Sequence, residues 1–458
     1  MEDMKNGKRS SFSGKLGYVL AAAGASVGLG NIWRFPYLAA KYGGGIFLII
    51  YIVLALTFGY TMIVAETAIG RMTRKSPVGA FKSFGKKKWL SFGGWINAVI
   101  PVLIVPYYSV IGGWVIKYLV EYFRGNAKLL AEDGYFTDFI SNGVSTELCF
   151  VAFCAFTLII IFAGVQNGIE RVSKIMMPIL IVLSVIIAVY SVTRPGALAG
   201  VKYFLVPNVK NFSWMTVVSA MGQMFYSLSI AMGILITFGS YMKKDTAIED
   251  STRNVEVFDT GIAIMAGLMI IPAVFAFSGG DPDTLQAGPS LMFITIPKVF
   301  QNMGFGTVIG IVFFLLVLFA AVTSSIALTE SAVSTFEDEL GWGRKKATVL
   351  VGVIMLVLGS LSSLGYGPLA GIKIIGMQFL DLFDFLTNSV MMPIAALLTS
   401  LLVSRVVGID KIEEEIIHGE SAFRRKKVFV VMIKYLCPIF AVIILISSVA
   451  NAFGWISM

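Results

Sequence analysis

Long apolar windows recur along the whole chain, LIIYIVLALTFGYTMIVA at 48–65 and VIGIVFFLLVLFAAV at 308–322 among them. Each approaches the ~20 residues a helix needs to cross hydrocarbon. The pattern predicts eleven spans, near 17–40, 43–70, 89–123, 146–164, 169–192, 213–241, 255–277, 305–339, 346–364, 376–404 and 428–453. The apolar/polar alternation of barrel strands is absent. The expected class is therefore an all-α polytopic membrane protein.

Two spans break their own pattern. The first runs into GASVGLGNIWRFPY at 24–37, which places glycines, an Asn, an Arg and a Pro at membrane depth. The sixth carries GQMFYSLSIAMG at 222–233, again small and polar. Lipid satisfies no backbone group, so an unwound segment survives only where it lines protein or a cavity. Gly24, Gly28 and Gly30 favour such unwinding. Freed carbonyls can hold a cation, and freed helix N-termini can hold a carboxylate. Interruptions at matching places in two halves point to a transport site between them. A third polar cluster, AAVTSSIAL at 320–328, groups three hydroxyls within one turn of the eighth span. Packing between helices uses such residues too; beside two breaks, a site for a hard cation is the sharper expectation.

Composition agrees. The chain of 458 residues is 57% hydrophobic and 14% charged, against about 25% charged in soluble domains. The net charge of +9 resides in clusters at 5–9, 71–75, 86–88, 243–244, 344–346 and 424–427. With eleven spans and an internal N-terminus these all fall on one side, and the loops at 124–145 and 278–304 on the other are poorer in Lys and Arg. This is a positive-inside bias; it orients the chain in an inner (plasma) membrane and implies no nucleic acid. Cys149, Cys154 and Cys437 sit in apolar surroundings, and the single His, His418, lies in a polar stretch. Neither supports metal-ligand spacing or a Ser-His-Asp hydrolase, so an enzyme is not expected. A channel would need polar faces running through several helices. No obligatory protein partner is evident.

The segment GASVGLGNIWRFPYLAAKYGGGIF resembles the first-helix signature of the neurotransmitter:sodium symporter family, and GQMFYSLSIAMG, TSSIAL and FEDELGWGRKKA extend the likeness over nearly the whole chain. The resemblance implies the LeuT-type fold: one transport domain over 1–458, a 5+5 inverted repeat (about 10–195 and 210–407), and an eleventh helix near 428–453. It implies Na⁺-coupled import of an L-amino acid by alternating access, with two Na⁺ ions. A non-transporting amino-acid receptor on the same fold is the alternative.

Site residues follow from the same resemblance. The first sodium is expected on Ser26, Asn31, Ser227 and Asp259, against the substrate carboxylate. The second is expected on the carbonyls of Gly24, Val27 and Ala320 and the hydroxyls of Thr323 and Ser324. The carboxylate would meet the Leu29–Gly30 backbone and Tyr108; the amine would meet carbonyls of Ser26, Tyr226, Ser227 and Ser229. Ala25, Ile104, Tyr226, Met232, Ser324 and Leu328 would line the side-chain pocket. That mix favours a hydrophobic or aromatic substrate. Tyr226 replaces the family's usual Phe, and Ala231 replaces a common Gly. Asp259 is read as opening the seventh helix near the first sodium, where its carboxylate could supply the charge that chloride supplies elsewhere; a plain helix-start Asp is the other reading. Tyr51, Gln223, Ser227 and Ala263 mark the remaining chloride-site positions.

Gates are expected on both sides. Outside, Arg34 would pair with Asp384, or with the nearby Asp381, beside Gln223, Tyr108 and Tyr226. Inside, Arg9 would pair with Asp338 beside Ser240 and Tyr241. Glu66, within the second span, is expected to support the unwound backbone.

Overall fold

The computed structural model describes residues 9–279 and 288–456. Most of the basic cluster at 5–9 and part of the loop 278–304 lie outside the described residues. The described chain is helical, and its long elements match the apolar windows. They are α1 (Lys15–Ser26), α2 (Gly30–Lys41), α3 (Gly45–Thr73), α4 (Lys88–Phe123), α5 (Gly143–Phe162) and α6 (Val165–Val192). They continue as α7 (Trp214–Ser227), α8 (Ile234–Tyr241), α9 (Ile248–Ser278), α10 (Gly306–Leu340), α11 (Arg344–Leu364), α12 (Phe379–Val407) and α13 (Lys426–Ala452). Among the described residues, nine helices are long and apolar enough to span, and α1 with α2 makes a tenth bent by 54° at the break.

The α1–α2 break falls at Val27–Leu29, inside the glycine-rich stretch. The α7–α8 break falls at 228–233, inside GQMFYSLSIAMG. Gly233 begins α8 from the left-handed region at φ 70°, which glycine adopts without steric cost. Ser229 and Ala231 sit at φ 53° and 60°, conformations uncommon for residues with a Cβ.

One boundary differs from the hydropathy reading. The seventh span is expected at 255, but α9 begins at Ile248. Its first two turns are polar and project past the apolar window. Glu249 and Asp250 suit the positive end of the helix, and the Glu420 carboxylate accepts from the Glu249 N–H at 2.5 Å. Asp259 therefore lies three turns inside α9 and does not open it, so the helix-start explanation fails.

Burial orders the layers. The central windows of α4 and α10 are 78% and 72% buried, whereas those of α6 and α13 are 33% buried. α4 and α10 pack on one another; α1 packs on α10, α9 and α6. Gly24 permits the close approach to α10, because a Cβ there would sit 3.1 Å from the Thr323 Cβ. The basic clusters collect at one end of the bundle. There Arg71 pairs with Glu415 at 2.7 Å, Lys82 with Glu339 at 2.7 Å and Arg425 with Glu256 at 3.3 Å.

Candidate substrate and ion site

The two breaks meet. Ser229 donates its hydroxyl to the Ala25 carbonyl at 3.0 Å, and the Gln223 amide donates to the Gly30 carbonyl at 3.1 Å. The Ala25 carbonyl at one break is thus taken by a side chain of the other, which answers the demand that no buried backbone group stay unpaired, and the Gly30 carbonyl, already bonded to the Phe35 N–H, takes a second donor. Glu66, fully buried in α3, accepts the Ala231 N–H at 2.8 Å. That contact places its carboxylate against the unwound backbone of the second break.

Between the breaks lies a small cavity of about 30 Å³. All the residues expected around the substrate line it: Ala25, Ser26, Leu29, Gly30, Ile104, Tyr108, Tyr226, Ser227, Ser229, Met232, Ser324 and Leu328, together with Gly28 and Asn31. The cavity is polar at one end. There the Leu29 N–H donates to the Tyr108 hydroxyl at 3.3 Å. Gly28 is packed so tightly that a Cβ would lie 2.7 Å from the Ser324 hydroxyl. Ile104, Met232 and Leu328, all buried, supply apolar surface.

The residues expected around the first sodium also converge. Asp259 Oδ1 accepts from the Asn31 amide at 2.8 Å and from the Ser227 hydroxyl at 2.9 Å; Oδ2 accepts from Tyr51 at 2.9 Å. A fully buried carboxylate thus has three donors, and among the described residues no ion pair with a cationic side chain. Such a group is costly to bury alone and is electrostatically suited to a nearby cation. The Ser26 hydroxyl itself donates to Ala22 O at 3.1 Å. The second set meets where α1 ends against α10. Ser324 donates to the carbonyls of Gly24 and Ala25 at 3.2 and 3.1 Å, and Thr323 to Phe319 and Ala320 at 3.0 and 3.2 Å. Val27 lies in the break beside them, its N–H still bonded to Ala23 O at 2.7 Å.

The gates differ. At the basic end Arg9 forms a closed latch, donating to both oxygens of Asp338 at 2.7 Å, to Ser240 at 2.7 Å and to Ser334 at 2.8 Å. Its guanidinium lies 5.2 Å from the Tyr241 ring centre. The expected outer pair is not formed. Among the described residues no ion pair joins Arg34 to Asp384 or Asp381. Asp384 takes hydrogen bonds from Asn388 at 2.5 Å and Tyr107 at 3.2 Å, and Asp381 from Tyr366 at 3.2 Å. Arg34 lies instead 5.6 Å from the Tyr226 ring centre. The reason is space: these groups line a vestibule of about 390 Å³, above the cavity. Tyr226 borders both compartments and separates them. Its ring packs on Gly30, where a Cβ would sit 2.5 Å from it. The geometry is that of a site closed at the basic end and approached from the other.

Sequence reasoning missed part of the latch. Glu330, fully buried in α10, accepts from Tyr241 at 2.7 Å and pairs with Arg344 at 2.6 Å. The signal was present: Glu330 is a carboxylate in a predicted span, as Glu66 is.

The sequence model of the sodium:neurotransmitter symporter family matches residues 9–129 and 137–454. An uncharacterized sodium-dependent transporter of Bacillus subtilis, YhdH, is 35% identical over 92% of this chain and 93% of its own length. One from Methanocaldococcus jannaschii is 31% identical over 89% of this chain and 84% of its own. The human sodium- and chloride-dependent GABA transporter 2 is 26% identical over 89% of this chain and 75% of its own. Among solved structures, the crystal structure of MhsT in complex with L-phenylalanine superposes with a TM-score of 0.86 at 34% identity, covering 96% of this chain and all of that one. The chain belongs to the sodium:neurotransmitter symporter family.

Proposed function

We propose that the protein imports a hydrophobic or aromatic L-amino acid together with Na⁺, by alternating access across the membrane it spans. It is a transporter and not an enzyme. The observation that carries this reading is the cavity between the two breaks: freed backbone and Tyr108 at one end, Ile104, Met232 and Leu328 as apolar lining. An amino acid needs that division of polar and apolar surface, and the likeness to MhsT with L-phenylalanine supports the substrate class. Counting α7 and α8 as one interrupted span gives eleven crossings, with a 5+5 repeat placing the breaks at equivalent positions. The N-terminus is read as cytoplasmic from the charge bias.

Two sodium sites are part of the proposal. The first uses Ser26, Asn31, Ser227 and Asp259; the second uses the carbonyls of Gly24, Val27 and Ala320 with Thr323 and Ser324. A cation touching the substrate carboxylate strengthens substrate binding, and substrate strengthens cation binding equally. The second cation would tie α1 to α10, so its release would free α1 to move. Asp259, held by Tyr51 and Ser227, supplies a fixed negative charge, and the reading is that transport needs no chloride. Chloride-free uptake that stopped would overturn that part.

Uptake driven by a Na⁺ gradient into proteoliposomes, with a panel of labelled L-amino acids, tests the whole. Accumulation of an apolar or aromatic member that collapses when K⁺ replaces Na⁺ is expected. Tight binding without accumulation would replace the transporter reading by a receptor.

A further inference from the structure

A second cavity lies at the basic end of the bundle, away from the substrate cavity. It measures about 150 Å³ and is lined by Glu249, Asp250, Arg253, Glu420, Arg424 and Arg425. Its acidic groups already have donors. Glu249 accepts from the backbone N–H groups of Arg424 and Arg425 at 2.8 and 2.9 Å and from Tyr60 at 2.9 Å. Glu420 accepts from the Glu249 N–H, and Asp250 pairs with Lys15. Arg425 is paired with Glu256 and lies 4.6 Å from the Tyr60 ring centre. The guanidinium groups of Arg253 and Arg424, both exposed, form no hydrogen bond or ion pair among the described residues. Both act on the nearby Asp250 charge through space, but at the rim of the cavity neither is tied to a carboxylate by a direct bond.

The surroundings point to a ligand. Tyr60 belongs to α3, which packs against both α9 and α13. On the same helix Ile49, Val53 and Leu56 recur at spacings of four and three and are 44%, 55% and 45% exposed; one step of four beyond them Tyr60 turns inward, fully buried, and its hydroxyl reaches Glu249. Arg253 is followed one turn later by Val257, 65% exposed, and Arg424 by Val428 and Val431, 36% and 50% exposed. An apolar strip on α3, flanked by apolar residues of α9 and α13, thus ends at a cavity with two unpaired guanidinium groups. A free anion has no use for the strip, whereas a lipid uses both parts. Arginine is the side chain best matched to phosphate oxygens.

We propose that this cavity holds the phosphate of an anionic phospholipid, between Arg253 and Arg424, with an acyl chain along Ile49, Val53 and Leu56. Native mass spectrometry of the detergent-solubilised protein, titrated with phosphatidylglycerol and with phosphatidylcholine, tests it. Phosphatidylglycerol should bind in preference. Arg253→Gln/Arg424→Gln should weaken that binding roughly 25-fold, the equivalent of about 1 kcal/mol for each cation near an anionic surface. Leu56→Trp, which obstructs the strip and leaves both arginines, should weaken it as well. Equal affinity for the two lipids, or unchanged affinity in the double variant, overturns the proposal. Inorganic phosphate competing as well as the lipid, with no effect of Leu56→Trp, also overturns it and leaves a site for a free anion.

Discussion

Replacing Asp259 by Asn removes one charge and almost no volume. In the structure this carboxylate is fully buried and takes donors from Asn31, Ser227 and Tyr51 at 2.8, 2.9 and 2.9 Å. A Na⁺ held on the Asn31 amide oxygen would be a neighbour of this carboxylate, taken as about 5 Å away for the Coulomb term. At an effective dielectric constant of about 20, two unit charges at that distance attract by ~3 kcal/mol. Losing the attraction should raise the Na⁺ concentration for half-maximal transport by about two orders of magnitude. The assay is labelled amino-acid uptake into proteoliposomes against Na⁺, once in chloride and once in gluconate. The wild type should show the same Na⁺ dependence in both. The Asp259→Asn variant should need far more Na⁺ in gluconate and recover part of the loss in chloride, which can occupy the space beside Tyr51 and Ser227. An unshifted Na⁺ dependence of the variant in gluconate would refute the reasoning, because the carboxylate would then not face the ion.

Three further expectations come from the same geometry. Ala231→Gly relieves a left-handed residue at φ 60° and should stabilise the protein by about 1 kcal/mol, measured as a raised thermal midpoint; a lowered midpoint would mean the Ala231 methyl packs usefully. Gly30→Ala puts a methyl 2.5 Å from the Tyr226 ring and should displace that ring, so substrate affinity measured by equilibrium binding should fall at least tenfold. Arg9→Ala removes a charged double hydrogen bond to Asp338 and bonds to Ser240 and Ser334. Charged hydrogen bonds contribute about 1.5–3 kcal/mol, so a cysteine placed at Ser334 should react with a soluble thiol reagent at least tenfold faster in that background.

Much of this was legible in the sequence because the physics that shapes it is local. A span that keeps three glycines, an Asn and an Arg among apolar residues cannot be an ordinary helix, and the breaks at Val27–Leu29 and 228–233 fall where the composition says. What was not legible depended on residues far apart. Asp259 was misplaced because hydropathy marks where a helix enters lipid and not where it begins; the polar turns from Ile248 are held by Glu420, 171 residues away. A carboxylate inside a span marks Glu330, but the Arg344–Glu330–Tyr241 cluster joins three elements, and no spacing announces its partners. The partners of the outer gate, Arg34 and Asp384, could be named from the sequence, but a sequence carries no information on which gate is shut; here both residues line the vestibule without pairing.

The carbonyls around the first break accept from side chains elsewhere in the bundle: Gly24 and Ala25 from Ser324, Ala25 from Ser229, Gly30 from Gln223. The atoms doing the accepting belong to the main chain, which every residue type possesses. Alanine scanning of 24–30 would therefore register crowding at the three glycines and lost packing at the buried Val27 and Leu29, and a silent position there would be no sign of an idle one. Amide-to-ester replacement, which weakens one carbonyl at a time while leaving the side chains untouched, is the scan to which this segment would respond.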